Sequence, residues 1–157
     1  MEKIIVGIAD FAVAHNPAIL VTIGLGSCVG ISFIDPIARV GALAHIVLPT
    51  IEASKNKDMP FKFADSAIEM AVQNLQEMGC IKSRIRTKIA GGAHMFNFNE
   101  NMNIGEKNVE AVVQKLNEMK IPIVSMDTGG DYGRTIEFYV ETGILVVKSA
   151  FRGIKEI

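Results

Sequence analysis

Apolar residues in the first third of the chain fall in four short runs, at 4–8, 18–22, 28–34 and 40–48. Runs of this length, rich in β-branched residues and bounded by turn residues, predict strands. Gly24 and Gly26 interrupt the second run, Asp35-Pro36 closes the third and Pro49 the fourth. The connections are too short for helical crossovers, so antiparallel or mixed pairing is expected. Residues 51–60 are polar and aperiodic and read as a surface loop.

The period then changes. Ala64, Ala67, Ile68, Ala71, Val72, Leu75 and Met78 lie on one stripe at three-to-four spacing, which predicts a helix with Gly79 as its C-terminal cap. Residues 84–90 read as a strand, turned by Gly91-Gly92. A second helix is expected from near Asn103, whose side chain can cap the first free amides, with Glu106 three residues later in a capping-box pattern. Val109, Val112, Val113, Leu116 and Met119 form its buried face. Three more strands follow, at 121–126, 135–140 and 144–148, with Gly129-Gly130 and Glu141-Thr142-Gly143 in the turns. The sum is one α/β domain over residues 1–157, with a large antiparallel or mixed sheet system and two long helices. No repeat or low-complexity linker divides it.

Composition narrows the function. Sixteen basic residues face seventeen acidic ones, for a net charge of −1. A nucleic-acid binder needs a basic patch to neutralise phosphates, and none stands out. The densest basic stretch, Lys82, Arg84, Arg86 and Lys88, alternates with other residues and reads as one solvated strand face. No run of about 18 apolar residues predicts membrane insertion, and no signal peptide can be made out. Two cysteines in unlike settings fit reduced thiols and a cytoplasmic protein.

The segment most suggestive of chemistry is Thr22-Ile23-Gly24-Leu25-Gly26-Ser27-Cys28-Val29-Gly30. A cysteine directly after a glycine-rich turn is displayed at the lip of a sheet, and the turn's amides can face a developing oxyanion. Gly26 and Ser27 are the candidates for that role. The competing reading is a small buried cysteine that only packs. A dinucleotide site does not fit, because the glycines at 24, 26 and 30 have the wrong spacing and a strand follows where a helix is required.

His45 lies in an otherwise apolar run, 41–49, where an imidazole must find a buried partner or do work. A hairpin through Asp35-Pro36 can bring it beside Cys28. Imidazole can then take the thiol proton to give a thiolate–imidazolium pair. A third group often orients such a base. Thr22, Asp35 and Asp127 are the candidates, with Asp35 also readable as a turn residue. His15, in a polar turn, and His94, in a loop, lack metal-ligand spacing. Cys80 and the eight methionines read as packing.

Taken together, Gly24-Leu25-Gly26-Ser27-Cys28, Ala44-His45, Lys88-Ile89-Ala90-Gly91-Gly92-Ala93, Met102-Asn103-Ile104-Gly105, Asn108, and Asp127-Thr128-Gly129-Gly130 with Arg134 resemble the CheD family of chemoreceptor glutamine deamidases. The resemblance runs in order through nearly the whole chain. It implies hydrolysis of selected glutamine side chains on methyl-accepting chemoreceptors to glutamate, in the service of chemotaxis adaptation. It maps the nucleophile to Cys28, the base to His45 and the orienting group to Thr22. It implies a layered α/β sandwich related to the catalytic domain of cytotoxic necrotising factor toxins, no metal or organic cofactor, and a CheC-type phosphatase as a second partner. Methyl-ester hydrolysis at the same site is chemically plausible. The competing functions are a non-catalytic adaptor, which needs no Cys–His pair, and a cysteine peptidase, which needs the same pair.

Overall fold

The computed structural model describes residues 1–95, 103–150 and 152–157. Met102 of the fourth family segment and Phe151 at the start of the tail lie outside the described residues. The described elements run β1 (Glu2–Ile5), β2 (Phe11–His15), β3 (Ala18–Leu25), β4 (Val29–Asp35), β5 (Val40–Ile46), α1 (Ala64–Glu77), β6 (Arg86–Gly91), α2 (Ile104–Glu118), β7 (Ile123–Thr128), β8 (Arg134–Tyr139), β9 (Ile144–Ser149) and β10 (Gly153–Glu156). They form two five-stranded sheets, ordered β1-β3-β8-β9-β10 and β2-β5-β4-β6-β7. Each is mixed, with one parallel pair, β1–β3 in the first and β6–β7 in the second, and antiparallel pairs elsewhere. Among the described residues no helix is long and apolar enough to cross a membrane.

Two cores stack the layers. Val29, Ile31 and Phe33 of β4 and Val40, Ala42, Ala44 and Ile46 of β5 pack against the apolar stripes of both helices. Successive strand side chains point to opposite faces, so the alternate positions turn toward the other sheet. There Leu43 meets Leu20, Ile136, Phe138 and Leu145. Every residue of β5 is therefore buried, which is why it reads as a continuous apolar run. His45 lies on the face between the sheets, and so do Cys28 and Gly30, two residues apart before and within β4.

Both helices end as sequence chemistry demands. Gly79 takes a positive φ of 94°, and the amides of Gly79 and Cys80 reach back to the carbonyls of Gln76 and Leu75. Asn103 caps α2 by accepting from the Glu106 amide at 3.1 Å. Glu106 answers through the Asn103 side-chain amide at 3.0 Å, so the box closes side chain to side chain.

Several expected elements shift. The first strand stops at Ile5, and a second, β2, carries His15 at its exposed end, where a polar turn was expected. The strands expected at 28–34, 40–48 and 121–126 begin or end one or two residues away, at Val29, Ile46 and Ile123. The tail adds β10, short and exposed along its length, so it has no buried face to betray it in the sequence.

The basic stretch is not one solvated strand face. Lys82–Arg84 is a 3-10 turn, and Arg84 grips Asp35 with Nε at 3.0 Å and Nη2 at 2.9 Å. Asp35 is fully buried. It accepts from the amides of Ile37, Ala38 and Ile81 as well, tying the β4–β5 turn to the segment after α1. Burial alone pushes its carboxyl up, but the Arg84 guanidinium and the three amides outweigh that and hold it at about 2. A carboxyl lowered from about 3.9 to that value stabilises the fold by about 2–3 kcal/mol above pH 4, and the contribution fades as pH falls toward 2. Asp35→Asn is expected to lose about that much in urea unfolding at pH 7, with the gap to wild type narrowing at pH 3. An equal loss at both pH values contradicts this role.

Candidate active site

A hydrogen-bonded chain crosses the space between the two sheets. Thr22, on the inward face of β3, places its Oγ1 2.6 Å from the Val6 carbonyl oxygen and 2.7 Å from His45 Nδ1. Thr22 and His45 are both buried, at 0% and 1% exposure. A carbonyl oxygen carries no hydrogen, so a 2.6 Å contact requires the hydroxyl to donate to Val6. The hydroxyl has one hydrogen, and it is spent. Oγ1 must then accept from Nδ1–H, which leaves Nε2 with its lone pair. Nε2 is buried and has no hydrogen-bond partner among the described residues. The imidazole is thus held as a base.

Register brings the thiol to the same place. In the β4–β5 ladder Gly30 pairs with His45 and Val29 with Ile46. Cys28, one step further out, lies diagonal to His45 on the same face, within reach of long side chains. A Cβ at Gly30 would stand 2.5 Å from Ile136 Cδ1, so the position opposite His45 has no room for a side chain. Cys28 itself is half-buried.

The glycine turn aims the cysteine. Between Thr22 and Leu25 the β3–β8 ladder gains one residue, a bulge that holds Gly24 at a φ of 77°. The bulge re-aims the chain out of the sheet. Behind the turn, Gly91 at a φ of 112° lies so close that a Cβ would sit 2.3 Å from the Cys28 carbonyl. Three successive carbonyls are anchored inward. Gly26 accepts from the Ala93 amide at 2.9 Å, Ser27 from Asn108 Nδ2 at 2.9 Å, and Cys28 from the Gly92 amide at 2.8 Å. A trans peptide opposes its N–H to its C=O. Anchoring the Gly26 and Ser27 carbonyls therefore turns the Ser27 and Cys28 amides outward. Among the described residues no other residue accepts from those two amides, and the Cys28 amide faces its own sulfur. The amides of Gly26, Ser27 and Cys28 all belong to this turn, and the Gly26 carbonyl helps to anchor it.

Burial sets the resting charges. It pushes the Cys28 thiol above its ordinary range, an effect its own backbone amide only partly offsets. It pushes the His45 imidazole down, against the cation. Desolvation disfavours both charged forms, the thiolate and the imidazolium of the expected pair.

The other candidates lie elsewhere. Asp35 sits at the far end of β4 from Cys28 and is engaged by Arg84. Asp127 stands in β7, 3.6 Å from Arg134 and 3.3 Å from Lys155. Of the three proposed orienting groups only Thr22 reaches His45. Cys80 packs in the helix–sheet core. His94 follows β6, its amide bonded to the Gly130 carbonyl. Asn108 is the residue that pattern reading missed. It lies on the buried stripe of α2 with Gly105, Val112 and Leu116, and a polar residue on such a stripe is the signal that could have found it.

A family model described as CheD chemotactic sensory transduction matches residues 47–149. Curated relatives align over almost their whole length. One from Caldanaerobacter subterraneus subsp. tengcongensis, named probable chemoreceptor glutamine deamidase CheD, is 50% identical over 155 residues, covering 97% of this chain and 96% of the relative. One from Clostridium novyi with the same name is 45% identical over 159 residues, covering 99% and 98%. One from Thermotoga maritima, named chemoreceptor glutamine deamidase CheD, is 45% identical over 161 residues and covers 100% of both. The crystal structure of a Neisseria meningitidis protein of family DUF152 has a TM-score of 0.50 at 9% identity, over 83% of this chain and 64% of that one, a likeness of fold alone. The family model begins after Cys28 and His45, whereas the alignments with the relatives run the length of the chain. By matched length and identity, the chain belongs to the CheD family.

Proposed function

We propose that this protein deamidates glutamine side chains of chemoreceptors, with Cys28 as nucleophile, His45 as general base and Thr22 as the group that orients the base. One observation carries the residue assignment. The Val6 carbonyl fixes the Thr22 hydroxyl, and Thr22 in turn leaves the lone pair of His45 on Nε2, the nitrogen free to meet the thiol. The activity itself rests on family membership.

The chemistry follows from a neutral pair. As Cys28 Sγ attacks the glutamine carbonyl carbon, Nε2 takes the thiol proton. Thiolate and imidazolium form only while the new C–S bond does. The oxyanion meets the outward amides of Ser27 and Cys28. The imidazolium then gives its proton to the departing nitrogen, ammonia leaves, and a thioester remains on Cys28. Water, deprotonated by Nε2, attacks the thioester, and glutamate and the thiol are released. Thr22 Oγ1 accepts from Nδ1–H throughout and steadies each transient cation. On the receptor, each turnover puts a negative charge and a methylatable carboxylate on a helix. That alters repulsion between neighbouring helices and tunes adaptation. The same reading places the protein in the cytoplasm, gives it a CheC-type phosphatase of the same chemotaxis system as a partner, and allows methyl-ester hydrolysis by the same steps.

Intact mass spectrometry of a chemoreceptor cytoplasmic fragment tests the reading. Wild type is expected to convert selected amides to acids and Cys28→Ala none. Conversion by Cys28→Ala at a wild-type rate removes the nucleophile. His45→Ala is expected to stay folded and to lose about 10²–10⁴-fold in rate, the usual cost of a missing general base.

Thr22→Val keeps the shape and removes the hydroxyl. About a 10-fold loss in turnover is expected, smaller than for His45→Ala, since an orienting hydrogen bond contributes about 1–1.5 kcal/mol. Unchanged turnover in Thr22→Val takes Thr22 out of the site.

The two thiols separate by alkylation. Iodoacetamide is expected to reach Cys28 well before Cys80, which is buried and whose thiol is pushed up to about 11 by burial and by the nearby Asp35 charge. Because the Cys28 thiol is also raised, its labelling should climb with pH from about 5 to 9 without an acid plateau. Peptide mapping reads both results. A plateau at mildly acidic pH would reveal a preformed thiolate.

A further inference from the structure

The β4–β5 ladder stops at Val29–Ile46, one step short of Cys28. Beyond that step the two strands are joined by a side chain. Asn108, fully buried on α2, donates one Nδ2 hydrogen to the Ser27 carbonyl at 2.9 Å and the other to the Val47 carbonyl at 2.8 Å. Both neighbours are pure acceptors, so the amide has one allowed orientation. Ser27 immediately precedes the thiol residue, and Val47 follows His45 by two. The staple therefore spans the pair at the point where the backbone no longer holds it. It also anchors the peptide whose amide belongs to Cys28. Its own Oδ1 is buried without a partner among the described residues.

We propose that Asn108 is a positioning residue for the deamidation. It fixes the distance between Cys28 and His45 and aims the Cys28 amide at the oxyanion, without touching the substrate. The proposal rests on Cys28 and His45 acting as above, and it makes one side chain of α2 part of the catalytic apparatus at one remove. Gly105, one turn earlier, supports the arrangement. A Cβ there would stand 2.3 Å from the Ala93 carbonyl, so α2 sits against the strand end with no slack for the staple to shift.

The test is steady-state kinetics on a receptor fragment for Asn108→Ala, with His45→Ala and the double variant alongside. Val112→Ala, a buried change on the same helix outside the site, controls for general loosening. Asn108→Ala is expected to lower kcat by about 10–100-fold, the scale of small misplacements of catalytic groups. KM should stay within about twofold, since no substrate contact is lost. Val112→Ala should keep wild-type kcat. If Asn108 acts through the pair, adding its substitution to His45→Ala should cost almost nothing further. Asn108→Ser is small enough to fit and can donate one bond, so it should fall between Asn108→Ala and wild type. It carries the same test should the alanine variant fold poorly. Wild-type kcat in a folded Asn108 variant overturns the proposal, as does a full multiplicative loss in the double variant. Retained activity in Cys28→Ala or His45→Ala would instead defeat the underlying site assignment, so the two failures are distinguishable.

Discussion

A single hydroxyl hydrogen governs this site. Thr22 has one to give and two neighbours within 2.7 Å. The Val6 carbonyl can only accept, so the hydrogen goes there and the imidazole must supply its own on Nδ1. A main-chain oxygen beyond the end of β1 thus decides the tautomer of a histidine on the other sheet. The arrangement needs both sheets. Thr22 comes from one and His45 from the other, and their separation is set by the core of Leu20, Leu43, Ile136 and Phe138 between them. Packing at that core is also alignment of the base.

The same buried space that enforces the hydrogen bond penalises charge. Burial raises the thiol and lowers the imidazole, so the proposed catalysis starts from neutral partners and creates charge only along the reaction path. The half-buried thiol at the lip of the sheet and the almost fully buried imidazole behind it divide the work between access and burial. In the proposed reaction, amides of the anchored turn meet the charge that develops.

Much of this was legible in the sequence, for physical reasons that differ by element. The stripes of α1 and α2 and the buried runs of β3, β4 and β5 announce themselves because packing demands regular apolar spacing. Cys28 after its glycines and His45 within an apolar run stood out because each breaks the local rule. Thr22 did not separate from Asp35 and Asp127 by pattern, since threonine is ordinary in a strand. Beyond the family resemblance, its bond to Val6 and its cross-sheet contact with His45 distinguish it. Asp35 read partly as a turn residue because its partner, Arg84, lies 49 positions away. The desolvation of thiol and imidazole was hidden too, because it depends on layers that pattern reading does not stack. Asn108 counted in the family resemblance, but its periodicity showed only a polar interruption of a helix stripe, and its two carbonyl partners flank separate strands. β2 is short and half-buried on both faces and β10 is short and exposed, so they carry little periodic signal.

Nitrogen-15 NMR of the His45 imidazole in the resting protein at neutral pH reads the proton positions directly. The expected spectrum has Nδ1 protonated and Nε2 bare, with the ring neutral, and the tautomer preference lost in Thr22→Val. An Nε2-protonated tautomer, or an imidazolium in the resting wild type, would contradict the assignment of His45 as a pre-oriented neutral base.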